Sequence, residues 1–153
     1  MLAVRHLRAW DGRVRRFLAT TGVAALRVSL GVVFIWFGLL KLLDVSPVAG
    51  LVSRTVYWFD PDVVVPVLGV VEIVVGSLLL VNRLLRVALA IFAGQMVGTF
   101  LVFLILPEVA FRDGNPLLLT VEGEFVIKNL VLIAGAMVVG SRVRPIRVNP
   151  GAG

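Results

Sequence analysis

The chain has no cysteine and a single histidine, His6, among its 153 residues. Without cysteine it cannot itself carry out thiol–disulfide exchange or bind a metal through thiolates. Charged residues are also scarce, at 16%, whereas hydrophobic residues make up 59% of the chain. This balance is far from that of soluble globular domains and is typical of a chain that lies mostly in a bilayer.

Sequence motifs that carry catalytic chemistry are missing as well. The chain has no Gly-rich phosphate loop, no nucleophile elbow and no Ser, His and Asp arrangement suited to nucleophilic catalysis. No catalytic residue is therefore named, and whether the chain is an enzyme stays open. A lone histidine in a basic segment does not make a metal site, so no metal is expected.

Four long apolar stretches dominate what is present. They cover about residues 24–43, 63–81, 87–106 and 125–139. A transmembrane helix needs about 20 apolar residues, at ~1.5 Å each, to cross a hydrocarbon core of ~30 Å. The fourth stretch reaches this length only if it recruits part of the segment 117–124, and the span expected there covers about residues 122–140. The sequence therefore predicts an all-α, four-helix transmembrane bundle over residues 23–141.

The charges between these stretches alternate in sign. Eleven of the 15 basic residues lie in the N-terminal flank, the second connection and the tail, whereas seven of the nine acidic residues lie in the first and third connections. Flanking Lys and Arg resist translocation, so we expect both termini in the cytoplasm. Topology and anionic lipid account for the net charge of +6, and no nucleic-acid partner is expected.

The N-terminal segment, residues 1–22, has the pattern of a basic amphipathic helix. Its apolar stripe is Leu7, Trp10, Val14, Phe17 and Leu18, and its basic face is Arg5, Arg8, Arg15 and Arg16. Such a helix is expected to lie on the membrane surface and to end at Thr20-Thr21-Gly22. A disordered basic arm is the alternative. Residues 142–153 are expected to form a basic cytoplasmic tail.

The connections carry their own signals. In the first, Val52, Val56 and Phe59 recur at helical spacing and predict a short surface helix that ends at Asp60-Pro61. The second, residues 82–86, is short enough to make spans two and three antiparallel neighbours. The third contains a strong turn signal over residues 113–116.

Polar residues within the spans are the main candidates for a site: Lys41, Glu72, Gln95, Glu124, Lys128 and Asn129. Intramembrane charges are costly, so they usually face the protein interior and pair. Glycines on the same stripes support this orientation, because they let a neighbouring helix approach closely. The stripes, span by span, are Gly31, Phe34, Gly38 and Lys41; Gly69, Glu72 and Gly76; Gly94 and Gly98, with Gln95 and Thr99 beside them; and Glu124, Lys128, Val131 and Gly135.

Helix length predicts the depth of these residues. Lys41 ends the first span and can extend towards the surface, whereas Glu72 lies about nine residues into the second, or ~14 Å deep. Lys128 lies about 6 Å below Glu124 by the same rise. The sequence therefore favours a Glu72–Lys128 pair in the outer half of the bundle, together with a helical Glu124–Lys128 ion pair.

This polar cluster is either a structural clamp that fixes helix register or a ligand or proton site, and both interpretations remain open. As a ligand site in a redox subunit, it would bind a quinone through Lys128 or Glu72, and Phe34, Trp36 and Phe37 would supply aromatic surface, although packing or lipid contact explains such aromatics more often. As a proton site, it would belong to a small proton-linked transporter, for which four spans are few without oligomerisation.

Three sequence stretches resemble the DoxX-like family of small four-helix membrane proteins, nearest to its YkgB-type branch. They are Gly31-Val-Val-Phe-Ile-Trp-Phe-Gly-Leu-Leu-Lys41, Glu72-Ile-Val-Val-Gly76 and Gly123-Glu-Phe-Val-Ile-Lys-Asn129. The resemblance spans about residues 24–140 and leaves out the basic N-terminal segment.

The resemblance implies a multi-pass protein of the bacterial inner membrane. It also implies a membrane subunit or scaffold of redox, oxidative-stress or quinone-linked systems, and at most the membrane subunit of an oxidoreductase. The partners implied are lipid, redox proteins and further copies of the chain, with a quinone as the candidate ligand. Lys41, Glu72, Lys128 and Asn129 are the residues carried over as site candidates. The lack of cysteine departs from thiol-active relatives and argues against direct sulfur chemistry.

Overall fold

The computed structural model describes residues 2–143, and the side chains of residues 10–143. This part of the chain is helical, without a β-strand, as the sequence predicts. The helices are α1 (Leu2–Leu42), α2 (Ala49–Thr55), α3 (Pro61–Val81), α4 (Leu85–Phe100), α5 (Val102–Ile105), α6 (Pro107–Ala110), α7 (Val121–Ile127) and α8 (Asn129–Gly140), with a 3₁₀ turn over Arg112–Gly114.

Four stretches in the described residues are long and apolar enough to cross a membrane. They are Trp10–Leu42, Pro61–Val81, Leu85–Ile105 and Val121–Gly140. The third joins α4 to α5, and the fourth joins α7 to α8. The number of spans predicted from the sequence is confirmed, and the fourth span does begin within the segment 117–124. Since the number of spans is even, the chain leaves the bundle at the end where it began.

The N-terminal segment is helical, but the prediction that it ends at Thr20-Thr21-Gly22 is wrong. α1 runs without a break from Leu2 to Leu42, so this segment continues directly into the first span. Trp10 and Phe17 remain 69% and 64% exposed, so no described element packs over the apolar stripe. The side chains of Arg5, His6, Leu7 and Arg8, and residues 144–153 of the predicted tail, lie outside the described residues.

α1 and α3 pack closely through the glycine stripes that the sequence singles out. A Cβ atom built on Gly38 would lie 2.5 Å from the carbonyl oxygen of Gly69, and one on Gly76 would lie 2.6 Å from the carbonyl oxygen of Gly31. Only glycine permits so close a backbone approach. The prediction that these two spans pack through glycine is therefore confirmed, and the two contacts fix the axial register of α1 against α3.

The rest of the bundle closes around this pair. α3 and α4 are joined by a tight hairpin in which Asn82 and Leu84 adopt left-handed backbone conformations, with φ of 60° and 50°. α8 packs against both α1 and α4 and completes the ring. The buried core between them is formed by Leu30, Phe34, Val75, Leu79, Ala88, Phe92, Met96, Ala136 and Val139.

Arg27 has a structural role that its place in the basic flank does not suggest. Its guanidinium donates to the carbonyl oxygens of Leu79 and, at 3.0 Å, Leu80. These carbonyls belong to the last turn of α3, where carbonyl oxygens lack the usual donor four residues on; from the main chain, Leu79 O receives only a 3.3 Å bond from the Asn82 amide. A cation at a helix C-terminus also favours the helix dipole. Arg27 therefore ties α1 to the end of α3.

We expect Arg27→Met to lower the free energy of unfolding by about 1.5–3 kcal/mol, the usual loss for a hydrogen bond to a charged group. Equilibrium unfolding in lipid bicelles would measure it. Arg83→Met is the control, because Arg83 lies exposed in the nearby hairpin, and it should change stability by less than about 0.5 kcal/mol. Equal effects of the two changes would contradict the role of Arg27.

The end of the bundle opposite the chain termini is covered by short helices, and we call it the α2 end. α2 packs against α3 and α5 there, and α6 packs against α7. The predicted surface helix exists but covers Ala49–Thr55, and Asp60 caps the start of α3 by accepting a hydrogen bond from the Asp62 amide at 3.0 Å. The buried residues Val102, Leu106, Ala110 and Val126 form a second apolar core beneath these elements.

Candidate functional site

Side chains from three spans meet in the interior of the bundle. Lys41 Nζ donates to both carboxylate oxygens of Glu72, at 2.9 Å and 2.7 Å. Gln95 Nε2 donates to Glu72 Oε1 at 2.6 Å. Lys41 and Glu72 are each only 6% exposed. Buried charges persist when they are paired and hydrogen-bonded, and this carboxylate has both kinds of partner. We call Lys41, Glu72 and Gln95 the polar triad.

The prediction that Glu72 pairs with Lys128 is wrong, and so is the expectation that Lys41 extends towards the surface. The reason is the register of α1 on α3. A Cβ built on Gly69, the ninth residue of α3, would lie 3.0 Å from Lys41 Cβ and 3.3 Å from Leu42. α3 thus continues about two turns beyond the end of α1. Lys41 lies within the bundle, one turn of α3 from Glu72.

Lys128 and Glu124 instead form an ion pair on the outside of the bundle. The predicted helical contact between them is confirmed, at 3.4 Å, but the two side chains are 72% and 58% exposed. Val131 is also exposed, at 73%, so the stripe expected to face inwards in the fourth span points outwards over most of its length. The inward face consists of Val126, Asn129, Gly135, Ala136 and Val139.

Asn129 is buried, as predicted, but its amide is used within its own span. Asn129 Nδ2 donates to the carbonyl oxygens of Phe125 at 3.2 Å and Val126 at 3.0 Å. These bonds lie where the helix is interrupted between α7 and α8, at Lys128. In a bilayer, backbone groups freed by such an interruption must be satisfied internally. Asn129 therefore stabilises the break and is not a member of the polar triad.

A cavity of about 460 Å³ lies beside the polar triad. Its walls come from all four spans and from α2 with the segment before it, and the triad residues line it together with Asn129. Most of the remaining wall is apolar and aromatic, including Phe34, Phe37, Leu40, Leu51, Val52, Val56, Phe59, Leu68, Val71, Ile91, Met96, Phe125 and Leu132. The cavity therefore has a mainly apolar lining with a polar wall at the triad, and Ser46 and Thr55 add hydroxyl groups on the α2 side.

Gly94 and Gly98 help to form the cavity. The sequence predicts that they let a neighbouring helix approach, but nothing lies within 4 Å of a Cβ built on either residue. Both residues line the cavity. The expected close contact is therefore wrong, and the missing side chains leave open volume beside Gln95. Spacing alone does not distinguish a glycine that lets two helices approach from a glycine that leaves open volume, because both produce the same small-residue pattern.

The aromatic residues of α1 divide between packing and the cavity. Phe34 is 3% exposed and its ring centroid lies 5.2 Å from that of Phe92, in the bundle core. Phe37 lies 6.1 Å from the ring of Phe125, and both rings line the cavity. Trp36 is 63% exposed and lies outside the cavity lining. Of the three aromatics considered from the sequence, Phe34 and Phe37 border the cavity.

The polar wall has an unused hydrogen-bond acceptor. A carboxylate can only accept hydrogen bonds, so the amide of Gln95 must turn its nitrogen towards Glu72. Its oxygen, Gln95 Oε1, is then buried without a hydrogen-bond partner within residues 10–143. Thr99, one turn further along the cavity wall, donates its hydroxyl hydrogen to the main-chain oxygen of Gln95 at 3.1 Å. Among the side chains that the structure describes, no three His, Cys, Asp or Glu residues converge as a metal site.

The sequence model of a protein family described as DoxX matches residues 22–105. This range contains most of the first span, the whole second and third spans and the whole polar triad, and it ends before the stretch Gly123–Asn129 included in the resemblance. No curated protein and no solved structure matches the chain.

Proposed function

This chain belongs to the DoxX family, and we propose that it is a membrane subunit that binds a lipid-soluble small molecule in the cavity beside the polar triad. A quinone or its quinol is the ligand class we favour. The single observation that carries the proposal is a mainly apolar cavity bordered by a buried ion pair and by an acceptor that has no hydrogen-bond partner within residues 10–143.

The cavity has the size and chemistry of a ligand site. Small-molecule pockets usually measure about 300–1,000 Å³ and place a few polar groups in a mainly apolar wall. At about 460 Å³, this cavity has room for a substituted aromatic ring. Phe37 and Phe125 offer aromatic faces to such a ring, and the polar triad offers hydrogen bonds to its substituents. A lipid-soluble ligand can reach the site from the bilayer.

The triad also serves as a clamp, and the two roles are compatible. It joins α1, α3 and α4 through one carboxylate, so it holds the walls of the cavity in place. A ligand site needs side chains whose positions are fixed by such contacts. We therefore propose that the clamp supports the site, with the protein acting as the membrane-bound component of a redox system rather than as a complete enzyme.

We further propose that the protein lies in a bacterial inner membrane with the chain termini in the cytoplasm. The basic residues near the terminal end support this orientation, and the acidic residues of the connections at the α2 end support it as well. The cavity would then lie nearer the outer face, under α2. Partner redox proteins would meet the bundle from either surface, and purification in mild detergent from native membranes would identify them.

Filling the cavity should weaken binding while leaving the fold intact. In Gly98→Leu the new Cβ meets no atom within 4 Å, and the rest of the side chain occupies the cavity. We expect its Kd for a decyl-substituted benzoquinone in lipid nanodiscs to rise by about tenfold or more, equivalent to ~1.4 kcal/mol of lost binding. Equilibrium binding of the labelled quinone, corrected for empty nanodiscs, measures this.

Ala93→Leu is the matched control. Ala93 lies on the same helix but lines a groove on the outside of the bundle, between α4 and α8. This variant adds bulk outside the cavity and should bind the quinone as the wild type does. Wild-type protein without saturable binding, or unchanged binding in Gly98→Leu, would overturn the proposed function.

A further inference from the structure

The hydrogen bonds around Glu72 determine which groups of the polar wall remain open to a ligand. Gln95 Nε2 is engaged by the carboxylate at 2.6 Å, and the hydroxyl hydrogen of Thr99 is engaged by a main-chain oxygen. Both side chains line the cavity. Each has therefore used one donor on the protein and keeps an oxygen that can accept, and Gln95 also keeps its second amide hydrogen. Within residues 10–143, the buried α4 group that lacks any partner is an acceptor, Gln95 Oε1.

Lys41 supplies the complementary donor. An ammonium group has three N–H bonds, and the two contacts with Glu72 account for at most two of them. The remaining N–H belongs to a side chain that also lines the cavity. A ligand group that donates to Gln95 Oε1 and accepts from Lys41 would pair the unpartnered acceptor and the remaining N–H of Lys41. A hydroxyl has both properties, whereas a carbonyl or an ether only accepts.

We infer that the ligand carries a hydroxyl head group, as phenols and quinols do, and that the site favours the reduced quinol over the oxidised quinone. This inference rests on the proposed function. Its energetic basis is the acceptor oxygen of Gln95, which is buried without a donor in the described part of the chain. A buried, unsatisfied carbonyl is costly, and a ligand hydroxyl that pairs with it removes this cost.

The preference has a redox consequence. A protein that binds the reduced form of a couple more tightly makes the bound couple easier to reduce. For a two-electron couple, a tenfold preference raises the midpoint potential by about 30 mV. The bound quinone would therefore act as a better electron acceptor than the free quinone pool in the same membrane.

A redox-inert pair of probes tests the head group directly. 4-Nonylphenol and 4-nonylanisole share the ring and the alkyl chain, and they differ in whether the oxygen carries hydrogen or methyl. We expect wild-type protein in nanodiscs to bind the phenol about tenfold more tightly than the anisole, after subtraction of partitioning into empty nanodiscs. Gln95→Met should bring this ratio close to one while leaving anisole affinity nearly unchanged.

Thr99→Val is a second variant that keeps the test decisive if Gln95→Met does not fold. It removes one acceptor without touching the contacts of Glu72, and it should lower the phenol-to-anisole ratio by about threefold. Anisole that binds as tightly as phenol to the wild type would overturn the hydroxyl inference and leave the cavity proposal standing. If neither probe nor the decyl benzoquinone binds, the proposed function itself fails.

Discussion

Glu72→Ala should destabilise the protein more than any other single change considered, by about 3–5 kcal/mol by analogy with buried ion pairs in soluble proteins. The substitution leaves the Lys41 ammonium buried without its counterion and Gln95 Nε2 without its acceptor. Isolated charges are also costly at membrane depth, by about 2.5–3.5 kcal/mol on insertion scales. Equilibrium unfolding in bicelles, followed by circular dichroism, would measure the loss.

The exposed ion pair of the fourth span provides the matched control. Glu124 and Lys128 lie 3.4 Å apart with both side chains open to the surroundings. Glu124→Ala should therefore cost less than about 1 kcal/mol, as exposed pairs do. A Glu72→Ala variant as stable as Glu124→Ala would show that the triad contributes little to the fold.

Double variants identify the partner of Glu72 and separate folding from binding. Lys41→Met with Glu72→Leu replaces the whole pair by apolar groups and should recover most of the lost stability. Glu72→Leu with Lys128→Leu should not, because it leaves Lys41 unpaired in the interior. If the folded Lys41→Met, Glu72→Leu protein no longer binds the decyl benzoquinone, the triad acts in binding as well as in folding.

Gly38→Ala should separate α1 from α3. The added Cβ would meet the carbonyl oxygen of Gly69 at 2.5 Å and Ile73 Cγ1 at 2.7 Å. The carbonyl is part of the α3 backbone, so the clash is relieved only if the helices move apart. Overpacking costs about 1–3 kcal/mol and occasionally more. We expect a net loss near 2 kcal/mol, since the gain of ~1 kcal/mol in helix propensity offsets part of the clash.

Gly98→Ala makes the same chemical change where space is open. Nothing lies within 4 Å of the new methyl group, so only the helix-propensity gain of up to ~1 kcal/mol applies. The two alanine variants should therefore shift stability in opposite directions in the same unfolding assay. Destabilisation of equal size in both would contradict the assignment of Gly38 to a helix contact and Gly98 to the cavity wall.

The sequence determines the number of the spans and, apart from the start of the first, their approximate limits, because both follow from local properties. The length of an apolar stretch and the turn residues beside it depend only on that part of the chain, and these two signals predict all four spans. The glycine stripes of the first two spans were also readable, since Gly31, Gly38, Gly69 and Gly76 recur at helical spacing on single faces. The set of polar residues that includes Lys41, Glu72 and Gln95 was visible for the same reason.

Contacts between helices establish which of these residues meet. The partner of Glu72 depends on the axial offset between α3 and α1, and helix length alone does not give the offset that brings Lys41 to Glu72. The inward face of the fourth span depends on the rotation of α7 and α8. In this span Glu124 and Lys128 pair with each other on the outside of the bundle, so neither needs a partner in the interior. Register and rotation are set by contacts between helices, so no single segment contains them. This register and rotation bring Lys41, Glu72 and Gln95 together as one buried triad beside a cavity.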